Sequence, residues 1–160
     1  MAITIFAPMR TLLYLPIALL LFPACEAITG KELARLAIDT LSTPDHLVMQ
    51  EATLNLKKDD VIALWSHLDL AYDGPAALTM RVRVVKDDAD LQLFELDPME
   101  KNVTIGETKT EINGHTEWSF TGKNGAYTVP EDGAYTFKAI LTAEENPSLV
   151  VRKAELVLKQ

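Results

Sequence analysis

The 160-residue sequence has few of the residues that build cross-linked or metal-rich folds. It contains one cysteine and three histidines. A single cysteine has no partner within the chain, so a framework of intramolecular disulfides is excluded. The sequence has 15 basic and 23 acidic residues, which give a net charge of −8. Nucleic-acid binding is not expected, because phosphates attract a basic face and no long basic block occurs.

The sequence also lacks an apolar run of the roughly 20 residues that cross a bilayer as a helix. The N-terminal apolar run, Leu12 to Phe22, is too short. A single positive charge, Arg10, precedes it, and small residues follow. This combination is typical of a secretory signal peptide. We expect residues 1–24 to be one, starting at either Met1 or Met9.

The lone cysteine lies at the end of this segment. The tetrapeptide "FPAC" that ends at Cys25 resembles a bacterial lipobox, although Leu is commoner where Phe22 stands. The resemblance implies that Cys25 begins the mature protein and carries lipid at the bacterial cell envelope, facing the periplasm or the cell surface. The membrane is then a partner through the lipid. Cleavage after Ala27, giving a soluble secreted or periplasmic protein, and an incidental apolar cysteine are the alternatives.

Residues 25–44 are expected to form the anchored N-terminus and a short helix. Thr29 and Glu32 have capping-box spacing. Apolar and small side chains follow at helical spacing, namely Leu33, Leu36, Ala37 and Thr40. This pattern predicts an amphipathic helix from Gly30 to Leu41, which Pro44 would end.

From residue 45 to residue 160 the apolar period changes to two, the period of strands with one buried face. The predicted inward residues are Ile62, Leu64, Leu68, Leu70 and Tyr72, then Leu78, Met80, Val82 and Val84, then Tyr135, Phe137, Ala139 and Leu141. The last run breaks its rhythm at Arg152, which predicts a bulge or a twist near Lys153. Asn113-Gly114 predicts a tight hairpin. About eight strands without intervening helices predict an all-β antiparallel sandwich.

One short pattern resembles the tyrosine corner of immunoglobulin-like sandwiches. In "EDGAYTF", Glu131, Gly133, Tyr135 and Phe137 alternate, and Phe137 stands where those sandwiches have a cysteine. Jelly-roll and carbohydrate-binding sandwiches have similar strand openings. The resemblance implies a Greek-key sandwich, Ig-like or jelly-roll, in which the Tyr135 hydroxyl bonds to backbone. It implies no activity.

Two pairs of side chains have ligand chemistry. His67 and Asp69 are two residues apart, as are His115 and Glu117. Residues two apart on a strand share a face, so the pairs could converge on a metal if their strands were neighbours. The alternative is an ordinary polar sheet face. We favour the polar face and expect no metal site and no cofactor.

Enzymatic motifs are lacking as well. The sequence has no nucleophile elbow, zincin helix, phosphate loop or dinucleotide fingerprint. Ser66 and His67 are adjacent, so on a strand they point to opposite faces. We therefore expect no enzymatic activity. Trp65 and Tyr127 could offer an aromatic platform to a sugar ring, or could pack against the domain.

These features together favour an exported, lipid-anchored, non-enzymatic binding or structural module with a protein partner in the envelope. Two other functions are compatible with the sequence. One is a carbohydrate-binding sandwich, and the other is a periplasmic immunity or inhibitor protein.

Overall fold

Residues 30–160 are described by a computed structural model, and they form strands and connecting loops without a helix. Cys25 and the predicted signal peptide lie outside the described residues. The strands are β1 (Glu32–Ala37), β2 (Gln50–Leu56), β3 (Val61–Asp73), β4 (Leu78–Lys86), β5 (Ala89–Leu96), β6 (Val103–Ile112), β7 (His115–Thr128), β8 (Gly133–Ala143) and β9 (Val150–Lys159).

The strands form two antiparallel sheets. The five-stranded sheet has the order β1-β9-β3-β7-β6, and the four-stranded sheet has the order β2-β8-β4-β5. Loops 57–60 and 129–132 connect the sheets at one end, where Lys31 also pairs with Gln160. Loops 74–77 and 144–149 connect them at the other end. The predicted all-β antiparallel sandwich is confirmed, with nine strands instead of about eight.

The core lies between the sheets and is filled mainly by alternate residues of β3, β4, β7, β8 and β9. The predicted inward sets of β3, β4 and β8 are all buried. Burying one such leucine-sized side chain contributes about 1.5–3 kcal/mol. The outward faces of both sheets do not take part in this core.

The predicted helix from Gly30 to Leu41 is wrong, because Glu32–Ala37 is strand β1. This strand pairs with β9, placing Leu36 opposite Leu156. Leu36 and Ile38 are buried, whereas Ala37 between them is exposed. Glu32 bonds to Arg35 at 2.6 Å. Pairing with β9 satisfies the backbone over a long range and overrides the local helical signal. The sandwich therefore begins before residue 45.

Two predicted irregularities are confirmed. Asp69 pairs with Lys153 and Leu70 with Val151, so Arg152 is the extra residue of a bulge. Asn113 and Gly114 join β6 to β7 with φ angles of 54° and 82°. Both angles lie in the left-handed region that a tight two-residue hairpin turn requires.

The side-chain hydrogen bond expected at the tyrosine corner is present. The Tyr135 hydroxyl donates to the carbonyl oxygen of Glu131 at 2.7 Å. The Tyr135 ring is fully buried, with its centroid 6.0 Å from that of Tyr127. Phe137 is also fully buried. This tyrosine therefore fixes the entry to β8 while it fills the core.

Candidate functional site

The two histidine–acid pairs lie on neighbouring strands but do not converge. His67 is opposite Thr121, whereas His115 is opposite Asp73. The two histidines are thus offset by six residues along the ladder, roughly 20 Å at the rise of a strand. The Nδ1 atom of His67 lies 3.1 Å from Glu155, and that of His115 lies 2.7 Å from Asp73. Within residues 30–160 no group of three or more ligating side chains could hold a metal.

The carboxylates of these pairs bind the bulge residue Arg152. Its guanidinium lies 3.5 Å from Asp69 and donates to Glu117 at 2.5 Å. This hydrogen bond lowers the pKa of Glu117 below its ordinary value, because protonation would remove the charge that accepts it. The three side chains therefore form a surface ion-pair network across β9, β3 and β7.

Replacing Arg152 by methionine should raise the pKa of Glu117 toward its ordinary value. With Arg152 present, the depressed pKa contributes stability above the ordinary carboxyl pKa, and this contribution is lost as the pH falls. NMR titration of the Glu117 carboxyl carbon measures the shift. Lys153→Met, one residue away, is the control and should leave the Glu117 titration unchanged.

The two aromatic candidates offer no open ring face. Trp65 lies on the outward face of the five-stranded sheet, yet is only 4% exposed. The Nζ atom of Lys159 lies 4.9 Å from its ring centroid. Tyr127 points into the core, where its ring meets Phe94, Tyr135 and Phe137. This arrangement does not favour a sugar platform at either residue.

A different surface combines exposed apolar and cationic side chains, and we call it the basic groove. It lies on the outward face of the four-stranded sheet and has a volume of about 380 Å³. Its residues are Leu47, Met49, Arg81, Arg83, Leu93, Glu95, Lys138 and Ile140. The loop before β2 forms one rim, β5 forms the other, and β8 and β4 form the floor.

The floor of the basic groove holds three cations in close register. Arg83 and Lys138 are direct cross-strand partners, and Arg81 lies two residues from Arg83 on the same face. Like charges directly opposite each other destabilise a sheet. This cross-strand pair therefore opposes the stability of the sheet, in a chain whose net charge is −8.

Acids surround these cations at the edge strands. Arg81 Nε donates to Glu95 at 2.7 Å, Arg83 lies 3.5 Å from Asp90, and Lys138 lies 3.6 Å from Glu51. The side chains of Arg81 and Arg83 are 48% and 54% exposed. Exposed pairs of this kind contribute only about 0–1 kcal/mol. These ion pairs therefore hold the three cations only weakly.

Both rims of the groove carry apolar side chains that are open to solvent, and Glu95 on the β5 rim is acidic. Leu47 is 64% exposed, Met49 46% and Leu93 52%. A second depression, lined by Ser42, Pro44 and Ile140 among others, continues from the groove beside Leu47 and Arg81. Exposed apolar side chains gathered around arginines are typical of protein-binding surfaces.

Sequence reasoning missed this groove for a physical reason. The alternation of apolar and polar residues in β4 identifies Arg81 and Arg83 as solvent-facing, but it does not show which residues lie beside them on the adjacent strands. Arg83 lies opposite Lys138, which is 55 positions further along the chain, only because β4 pairs with β8 in this register. A local signal was the presence of apolar residues on both faces of "LQLFEL". Phe94 and Leu96 pack against the core, whereas Leu91 and Leu93 are exposed on the other face of this edge strand.

No protein-family model, curated protein or solved structure matches this chain. Across residues 30–160 there is also no helix long and apolar enough to cross a membrane.

Proposed function

We propose that this protein is an exported, lipid-anchored module of the bacterial cell envelope that binds a protein partner and performs no catalysis. The N-terminal sequence supports export and attachment through Cys25. The basic groove carries the binding part of the proposal. It is the surface where exposed apolar side chains meet cations whose arrangement opposes the stability of the sheet.

The position of the groove is compatible with attachment at Cys25. The chain enters the sandwich at Gly30, beside Gln160 and the 57–60 loop. The basic groove extends from the middle of the four-stranded sheet toward the opposite end, where Ser42 and Ala143 lie. A partner can reach it without competing with a membrane at the Gly30 end.

Replacing Cys25 by serine should abolish membrane attachment without changing the fold. Serine lacks the thiol that forms the thioether, and stable anchoring needs two acyl chains or an equivalent second signal. Membrane fractionation with palmitate labelling compares the two chains in their host cells. We expect the wild-type protein to be labelled and to fractionate with the membrane. We expect the Cys25→Ser protein to be unlabelled and to appear as a precursor or a soluble product. Unlabelled, soluble wild type would contradict lipidation.

Site-specific photo-crosslinking tests the binding surface in the same cells. A photoreactive residue at Leu93 should give a discrete protein adduct, and Arg83→Glu should remove this adduct. Lys57→Glu makes the same charge change on an exposed loop and should preserve it. The photoreactive residue placed at Thr110 instead of Leu93 is the positional control, because Thr110 is exposed on the other sheet. Equal adducts from both positions, or none from Leu93, would contradict binding at the groove.

A further inference from the structure

The geometry points to a specific partner chemistry for the basic groove, and this inference rests on the proposed binding function. We infer that the groove binds an extended protein segment with a carboxylate residue between two apolar residues, each two positions away. The cations on the groove floor would bind the carboxylate, and the apolar rims would bind the flanking side chains.

The charge arrangement argues for a carboxylate. Arg81 uses Nε for its bond to Glu95, which leaves the two Nη groups at the end of the fork for a ligand. Arg83 is held by Asp90 only through a 3.5 Å ion pair. Guanidinium forks match carboxylates with paired hydrogen bonds. Lys138, directly across from Arg83, adds a third positive charge to the same spot.

The spacing of the rims argues for an extended segment. Met49 lies beside β2, and Leu93 lies on β5, with β8 and β4 between them. The two residues are three strand spacings apart and are offset by two residues in register, because Leu93 is level with Arg83 and Met49 is level with Arg81. Their backbones are therefore separated by roughly 16 Å, and their side chains, which line the groove, cover part of that distance. An extended chain advances roughly 13 Å over four residues, and its side chains at the first, third and fifth positions share one side. The middle side chain then faces the cations while the outer two meet Met49 and Leu93.

A lipid headgroup would match the cations less well. The chain has a net charge of −8, which repels an anionic membrane surface as a whole. The groove also has an apolar rim on each side of its charges. A protein segment supplies apolar groups on both sides of one carboxylate, so we assign the groove to a protein.

Selection from a random nine-residue peptide library on the purified full chain tests this inference. Peptides with an acid two residues from an apolar residue on both sides should be enriched at least tenfold. The Arg83→Glu and Arg83→Thr chains should lose this enrichment, and Lys57→Glu should retain it. A synthetic peptide from this selection should bind the Arg81→Glu protein more than tenfold more weakly than it binds wild type. The same peptide with its acidic residue replaced by the matching amide should bind wild type more than tenfold more weakly than the original peptide does.

Unfolding in urea separates a binding defect from a folding defect. Arg83→Thr removes one of two opposed cations, so its midpoint should equal or exceed that of wild type while peptide binding is lost. Enrichment of basic or purely apolar peptides, no enrichment, or equal selection by the Arg83 variants would overturn the inference. Arg83-dependent sedimentation of Cys25→Ser with phosphatidylglycerol vesicles would assign the groove to lipid instead and overturn it.

The two proposals fail in distinguishable ways. An Arg83-dependent adduct at Leu93 in cells, together with peptide selection that shows no preference for acid, leaves the proposed binding function standing. That combination overturns the acidic segment alone. If the otherwise wild-type protein gives no adduct at Leu93, the proposed binding function and the acidic segment are both overturned.

Discussion

Tyr135→Ala should lower the free energy of unfolding by about 3–5 kcal/mol, the range for truncating a buried aromatic residue. The ring is fully buried between the sheets and lies beside Tyr127. Its removal leaves a cavity that the surrounding strands cannot fill completely. It also deletes the donor that satisfies the carbonyl of Glu131. Urea denaturation followed by tryptophan fluorescence measures the change.

Tyr135→Phe separates the two contributions. The ring stays, and only the hydrogen bond of 2.7 Å to Glu131 is lost. We expect a loss of about 0.5–1.5 kcal/mol, the net worth of one such bond. If both variants unfolded at the wild-type urea concentration, Tyr135 would not hold the core position described here.

Leu36→Ala should cost about 2–5 kcal/mol, because it creates a cavity under the edge of the five-stranded sheet. Leu36 is 3% exposed and lies opposite Leu156 in the β1–β9 pair. A helix with the spacing read from the sequence would bury Leu36 as well, so this variant alone does not distinguish strand from helix. Chemical denaturation gives the magnitude.

Ala37→Lys distinguishes the two structures. In the strand Ala37 is exposed and lies opposite Glu155, so a lysine there should change the free energy of unfolding by no more than about 0.5 kcal/mol. In the helix Ala37 would belong to the buried stripe, and a lysine would be strongly destabilising. A large loss of stability in Ala37→Lys would contradict the position of β1.

Sequence reasoning succeeded where a local pattern determines the local structure. Alternating apolar residues identified the inner faces of β3, β4 and β8, and the positive φ angles that Asn113 and Gly114 tolerate fixed the hairpin. It failed at β1, where the partner strand lies at the far end of the sequence. A six-residue segment can satisfy its backbone either locally or against β9, and only the folded sheet decides between them.

The candidate site shows the same division. The alternation in β4 is enough to identify Arg81 and Arg83 as outward residues. The register that sets Arg83 against Lys138 could not be predicted, since it depends on how β4 meets β8. For the same reason, neither the separation of His67 from His115 nor the binding of Glu117 by Arg152 was predictable.

The position of β1 at the edge of the sheet determines how the domain responds to mechanical force. Within the five-stranded sheet β1 pairs with β9 alone, and the pair begins with the bonds between Lys31 and Gln160. A pull that separates Gly30 from Gln160 loads these bonds one after another and peels the strand away at low force. A pull between Gly30 and the basic groove crosses from one sheet to the other and also runs toward the far end of the strands, so it loads the β1–β9 ladder partly in shear. A tether before Gly30 and a partner in the groove would therefore apply tension in a direction that this edge strand resists better than peeling.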